Sequence, residues 1–274
     1  HVLCYTNIEV AVFSGIKQSM ETYLAGKDGF VIMQLDGKGQ YKPNMDIPKK
    51  EPVNGNNIVL TLDINIQKFA EEELERGVKE TSSLSGKVIV TNVKTGEILG
   101  MASYPSYDPN NILISDTAGF MNRTISDVYE PGSTFKVVAA SAALEEKLMD
   151  KMSLINTENG HYSLANDVTM EDEHKAATMT FQQALEQSSN IGFMKISQKI
   201  GPERFYKYAR DFGFGISTGI ELPGENKGIL KRPIDFSPIS LPYMAIGYEV
   251  LINAMQLTSA YSTVANNGVL LKPY

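Results

Sequence analysis

A serine and a lysine three residues apart, Ser133 and Lys136, stand in "YEPGSTFKVVAASAAL", at the mouth of an apolar stretch of helical character. Residues three apart on a helix share a face, so hydroxyl and amine come within hydrogen-bond reach if the helix starts near Ser133. A serine hydroxyl is a weak nucleophile until a base takes its proton. A lysine can be that base only when its pKa falls from about 10.4 towards about 7. Such a fall is about 4 kcal/mol of disfavoured charge, which burial among apolar neighbours such as Phe135 and Val137, helped by the positive end of the helix, can supply. The same helix end offers free N–H groups to the oxyanion formed when Ser133 attacks a carbonyl. S-x-x-K also recurs by chance, with the serine as a plain cap and the lysine stretched to solvent.

A second motif stands 55 residues after Ser133, where "ALEQSSNIGFMKI" sets Ser188, Ser189 and Asn190 between a capped helix and another apolar one. Serine and asparagine favour helix boundaries for local reasons. Together with S-x-x-K they place a further hydroxyl and an amide at one cleft.

Other polar residues carry less. His161 and His174 have no second His or Cys at ligand spacing, so surface or structural roles are expected. The acid run 171–173 lacks the spacing of a calcium loop and is expected to be a solvated loop. No metal and no cofactor are expected. The net charge of −7, with 25 basic against 32 acidic residues and no basic block, argues against nucleic acid as a partner. One cysteine, Cys4, excludes an internal disulfide framework. No stretch approaches the ~18 apolar residues of a membrane span, so any anchor is expected outside this chain.

The positioning elements are legible from pattern. A short helix is expected around 14–24, then a turn, a strand and a turn in "GKDGFVIMQLDGKGQ". "IPKKEPVNGNN" has a linker's composition and sets a boundary near Glu51. "IVLTL" reads as a strand, followed by a helix capped by Asp63 with Ile66, Phe69, Ala70, Leu74 and Val78 at helical spacing. "KVIVTNVKTGEILGMAS" reads as an antiparallel hairpin about a Lys-Thr-Gly turn. Helices are expected at 134–146, from Phe181 after a Thr180–Gln183 capping box, over 202–212 from Pro202 to a stop at Gly213, and over 253–266. "VLLKPY" reads as the start of a further strand. Antiparallel strands followed by a helical run predict an α+β fold.

"YLAGKDG", "LTLDINIQ", "VKTGEILGMASYPSYDPN", "YEPGSTFKV", "QSSNIGFMKI", "GIELPGE" and "MAIGYEVLINAMQLTSAYSTVANNG" occur here in the order of a known family. From about Gly15 to its end the chain resembles the transpeptidase domain of class B penicillin-binding proteins. The resemblance implies a penicillin-binding-protein/β-lactamase-like fold, with an antiparallel sheet beside a helical subdomain. It also implies that residues 1–50 are a remnant of an N-terminal pedestal or linker and 51–274 a transpeptidase domain lacking its C-terminal strands.

By the same resemblance Ser133 is the acylated nucleophile and Lys136 its proton acceptor, while Ser188 and Asn190 move protons and position substrate. The implied partners are peptidoglycan stem peptides, as D-alanyl-D-alanine donor and amine acceptor, together with β-lactam antibiotics, a glycosyltransferase and other division or elongation proteins. The implied location is the extracytoplasmic face of the bacterial membrane. The family's third motif, Lys-Thr/Ser-Gly on a cleft strand, is expected beyond Tyr274. Lys94, Thr95 and Gly96 precede Ser133 and are expected to be only a hairpin turn. A serine β-lactamase or β-lactam sensor, and a non-catalytic scaffold of the wall-building machinery, are the alternatives that share these residues.

Overall fold

A computed structural model describes residues 2–3, 15–43, 48–109, 119–165 and 168–274, leaving aside the side chains of Ala165 and Val168. Cys4 and Ser14 lie outside the described residues. Where one helix is expected, two short ones stand, α1 (Gly15–Ser19) and α2 (Glu21–Leu24), separated at Met20. The predicted strand forms as β1 (Met33–Leu35) and pairs antiparallel with β2 (Tyr41–Pro43). Asp36 closes their turn by accepting the N–H groups of Lys38 and Gln40 at 2.8 and 3.0 Å. Residues 48–56 form no helix or extended strand, as their composition predicts. They run back along residues 23–30, and Lys27 and Phe30 exchange backbone hydrogen bonds with Val53 and Lys50 at 2.8–3.0 Å.

"IVLTL" is not a strand. Val59 is 95% exposed, and the Thr61 hydroxyl, not a backbone ladder, reaches the carbonyls of Ile98 and Tyr274. Asp63 then caps α3 (Ile64–Thr81) by accepting from Asn65 and Ile66 N–H, as expected. Ala70 and Val78 are buried, whereas Phe69 is 64% exposed. The inward seam follows the i, i+4 row Ile66–Ala70–Leu74–Val78, and Phe69 stands about 100° away from it.

The predicted hairpin is β3 (Gly86–Thr91) against β4 (Ile98–Tyr104), antiparallel, with its register shifted at Val90/Thr91. Lys94-Thr95-Gly96 forms its turn, with the Lys94 N–H on Asn92 Oδ1 and Gly96 at φ +86°. Following α4 (Arg123–Ser126), a 3₁₀ turn (Gly132–Phe135) runs into α5 (Lys136–Glu145). The helix expected over 134–146 is therefore 3₁₀ in its first turn. Beyond it β5 (Leu154–Asn156), β6 (His161–Ala165), β7 (Val168–Glu171) and β8 (Thr178–Thr180) form two antiparallel pairs, β5 with β8 and β6 with β7.

The helical half continues with α6 (Phe181–Glu186), α7 (Asn190–Ile200) and α8 (Pro202–Asp211). The predicted Thr180–Gln183 capping box is present, and α8 opens on its proline. β9 (Ile229–Leu230), α9 (Ser240–Ala245), β10 (Val250–Leu251) and α10 (Ala254–Ala265) complete the order, β9 pairing with β10. Residues 269–274 form no strand. Tyr274 exchanges two backbone hydrogen bonds with the start of β4, its N–H to Gly96 O and its carbonyl from Ile98 N–H.

The main core lies among α5, α7, α8 and α9. Val138, Ala139, Ala142 and Ala143 are fully buried, which suits a helix walled on all sides and explains why its small residues carry no amphipathic stripe. Phe135 anchors its start, its ring 4.7 Å from Phe214 and 6.3 Å from Phe205. Full burial of one such ring contributes about 1.5–3 kcal/mol. A smaller cluster of Ile98, Met101, Ile125, Ile220 and Met255 underlies the β3–β4 hairpin.

Candidate active site

Lys136, the first residue of α5, is 1% exposed. Its Nζ donates to the Ser188 carbonyl at 2.6 Å, to Ser188 Oγ at 2.9 Å and to Asn190 Oδ1 at 2.8 Å. It also lies 5.7 Å from the centre of the Phe193 ring. Burial draws its pKa down from 10.5 to about 8, against the negative charge of Asp172, which pulls it up.

The structure thus brings Lys136, Ser188 and Asn190 to one point. Ser133 stands on the 3₁₀ turn leading into Lys136 and is exposed, and its hydroxyl bonds to none of the described residues. The expected direct Ser133–Lys136 hydrogen bond is not formed. An ammonium has three donors, and Ser188 and Asn190 take all three. Ser133 is the second residue of the 3₁₀ turn, a position whose N–H has no partner within the turn, which leaves it available to an oxyanion.

Ser188 holds its place in a left-handed conformation, φ +55°, which costs a non-glycine residue about 1–2 kcal/mol. The bend is fixed by the exit from α6, where Ser188 N–H bonds to Leu185 O and Ser189 N–H to Ala184 O. It aims both the hydroxyl and the carbonyl of Ser188 at the lysine. Ser189 turns the other way, is buried, and caps α7 by accepting from Gly192 N–H at 2.9 Å.

Beneath this bend lies Asp172, from the acid run expected to be a solvated loop. Only Glu171 and Glu173 of that run are exposed, whereas Asp172 is 4% exposed. Its carboxylate accepts from Ser189 Oγ, from Asn190 N–H at 2.6 Å and from Ile191 N–H at 3.0 Å, at the N-terminus of α7. A signal existed: Val168 and Met170 alternate with polar Thr169 and Glu171, the period of a strand, which puts Asp172 on the same face as Met170. His161, by contrast, is at the surface beside Glu171 and Lys175.

A buried lysine gripped by a serine and an asparagine, one turn after an exposed serine on an α+β frame, fits a serine acyl-transfer centre. Residues 86–274 match the family model for the penicillin binding protein transpeptidase domain, and the chain belongs to that family.

Among its relatives, the chain is 33% identical over 272 residues to the probable peptidoglycan D,D-transpeptidase PenA of Neisseria gonorrhoeae, covering 99% of this chain and 46% of that protein. It is 29% identical over 273 residues to peptidoglycan D,D-transpeptidase FtsI of Escherichia coli, covering 98% and 45%. The chain therefore spans about half the length of the curated relatives it matches. Its fold superposes on penicillin binding protein 3 of Mycobacterium tuberculosis, solved with aztreonam, with a TM-score of 0.86 and 29% identity over 99% of this chain and 57% of that one. The complex of the same protein with ampicillin gives a TM-score of 0.87. The α+β expectation and the penicillin-binding-protein fold type both hold.

Proposed function

We propose that the protein is a peptidoglycan D,D-transpeptidase whose acyl-enzyme forms at Ser133. The observation that carries this reading is the Lys136 amine, buried, depressed to a pKa of about 8 and gripped by Ser188 and Asn190 one turn after an exposed serine. With Lys136 neutral, the Ser133 hydroxyl gives its proton to the amine, directly or through Ser188, as Oγ bonds to the penultimate D-alanine carbonyl of a stem peptide. The tetrahedral intermediate collapses, the C–N bond breaks, and the proton passes to the amine of the departing D-alanine. A neighbouring stem's amine then attacks the ester, forms the cross-link and returns the proton to Ser133. A β-lactam follows the first half of this course and stays attached.

On this reading residues 51–274 carry the chemistry, residues 1–50 belong to a pedestal or linker, and the protein works at the extracytoplasmic face beside a glycosyltransferase and other division or elongation proteins. Among the described residues no helix is long and apolar enough to cross a membrane. The test is mass spectrometry of the full-length protein after incubation with benzylpenicillin. One adduct on the Ser133 peptide, absent in Ser133→Ala, is the expected result; no adduct, or an adduct elsewhere, overturns the reading. An adduct lost within seconds points instead to a hydrolase.

A further inference from the structure

The turn that bears Ser133 is held along its length by residues 115 to 127 positions further on. Tyr129 and Ile252 exchange both backbone hydrogen bonds at 3.0 Å. The Glu249 N–H donates to Glu130 Oε1 at 2.9 Å. The Gly132 N–H donates to Gly247 O at 3.2 Å. On the far side of the serine, the Tyr261 hydroxyl donates to Thr134 O at 2.9 Å. Each residue from 129 to 134 except Pro131 and Ser133 is tied in this way, and the serine hydroxyl is left free.

The clamp has its own support. Glu249 sits at φ +56°, a conformation a non-glycine residue adopts at a cost, and its carboxylate is gripped by Lys231 Nζ at 2.6 Å and by the buried hydroxyl of Ser240 at 2.7 Å. Lys231 follows β9 and Glu249 precedes β10, so the Val250–Leu230 pairing brings the two charges opposite each other. That grip aims the Glu249 N–H at Glu130. Gly247, at φ +83°, lies so close that a Cβ on it would stand 2.0 Å from the Gly132 carbonyl oxygen and 2.5 Å from its nitrogen. Both neighbours are backbone, so the nucleophile turn itself would have to move.

We propose that Gly247 and Glu249 are positioning residues for Ser133, and that their backbone contacts to Gly132 and Glu130 fix where the nucleophilic hydroxyl stands relative to Lys136. The inference rests on the acyl-transfer reading of Ser133. A misplacement of about 1 Å at a reacting atom costs on the order of 100-fold in rate, so a clamp of backbone contacts is a means of rate control even though neither residue is a hydrogen-bond partner of Lys136.

The experiment measures the second-order rate of acylation by benzylpenicillin and the final acyl stoichiometry in the full-length protein. It compares the parent with Gly247→Ala, Glu130→Ala and Glu130→Gln. Gly247→Ala is expected to acylate about 100-fold more slowly. Glu130→Ala, which removes only the acceptor of the Glu249 N–H, is expected to be about five- to tenfold slower, the worth of one hydrogen bond. In both the endpoint stays at one acyl group per chain. Glu130→Gln keeps a side-chain oxygen and returns to within about threefold of the parent. The proposal is overturned if Glu130→Ala reacts at the parental rate, if Glu130→Gln is as slow as Glu130→Ala, or if slowing is matched by a falling endpoint, the mark of lost folded protein. Should Gly247→Ala fail to fold, the Glu130 pair decides. A parent that takes up no acyl group at all would overturn the acyl-transfer reading, and this inference with it.

Discussion

The Lys136 amine and the Ser188 hydroxyl stand 2.9 Å apart, although 52 residues separate them in the chain. With Asn190 Oδ1 and the Ser188 carbonyl as its other acceptors, the amine is fully bonded as an ammonium and does not reach Ser133. On the proposed acyl-transfer reading, accepting the proton of Ser133 requires that Lys136 first lose one of its own, so the ionisation of this single residue would set the reactive fraction of the protein.

That fraction is read by pH. With Lys136 near a pKa of 8, the acylation rate is expected to rise with pH, reach half its plateau near pH 8 and level off above it. Lys136→Met should lose this limb along with about 10²- to 10⁴-fold of the rate. Stability follows the same group. Below pH 8 folded and unfolded chains both carry the ammonium, and the cost of burying it, about 3 kcal/mol, is present in full. Between pH 8 and 10.5 the unfolded chain binds the extra proton, so stability rises with pH as that cost is removed. Urea unfolding of the parent should gain stability between these limits relative to Lys136→Met; parallel curves would refute the assignment.

Asp172 supplies the opposing charge. Three donors converge on its carboxylate, and an asparagine would present one oxygen and a conflicting NH₂ to them. Asp172→Asn is expected to cost about 1–3 kcal/mol in urea unfolding. Because the aspartate raises the Lys136 pKa, its neutralisation should also move the acylation midpoint below pH 8. Loss of stability with an unmoved midpoint would make Asp172 a helix cap only.

Adjacent serines should separate rate from stability. Ser188 Oγ touches the lysine, whereas Ser189 Oγ caps α7 and bonds to Asp172. Ser188→Ala removes a hydrogen bond to a charged group, worth about 1.5–3 kcal/mol, and is expected to slow acylation about tenfold or more. Ser189→Ala is expected to lower stability by about 0.5–2 kcal/mol, as loss of a cap does, with a smaller change in rate per folded molecule. Rates and unfolding curves of the two variants compared side by side check this; equal effects on both quantities would contradict it.

Motifs with local causes were legible in the sequence. The caps at Asp63 and Thr180, the proline start of α8 and the hairpin about Lys94-Thr95-Gly96 depend on residues a few positions apart, and the structure shows each of them. The candidate residues Lys136, Ser188 and Asn190 were legible as types at a spacing, and they meet. What depended on distant backbone was not. The acceptors that draw Lys136 away from Ser133, the burial of Asp172 beneath α7 and the contact of Gly247 with Gly132 each join residues 17 to 115 positions apart. "IVLTL" misled for the same reason, since strand-like composition says nothing of whether a neighbouring edge is open, and here that edge is taken by backbone groups of Tyr274 and Asp63 and by the side chains of Thr61 and Gln67.

One of those side chains is Gln67 of α3. Its Nε2 donates to Met101 O at 2.9 Å and its Oε1 accepts from Met101 N–H at 2.8 Å, so a single amide imitates the pairing a neighbouring strand would give β4. Met101 is 2% exposed, and water could not readily replace these bonds. Gln67→Ala leaves a buried donor and acceptor unpaired and is expected to destabilise the protein by about 1–3 kcal/mol for each group left without a partner. Gln67→Glu keeps the acceptor for Met101 N–H but turns a carboxylate towards the Met101 carbonyl, and should be destabilised as well. Because α3 and β4 contribute nothing to the Lys136 site, the acylation rate per folded molecule should stay at the parental value in both variants. Thermal unfolding paired with active-site titration measures the two quantities together. A fall in rate without a fall in stability would mean that the hairpin edge is coupled to the nucleophile.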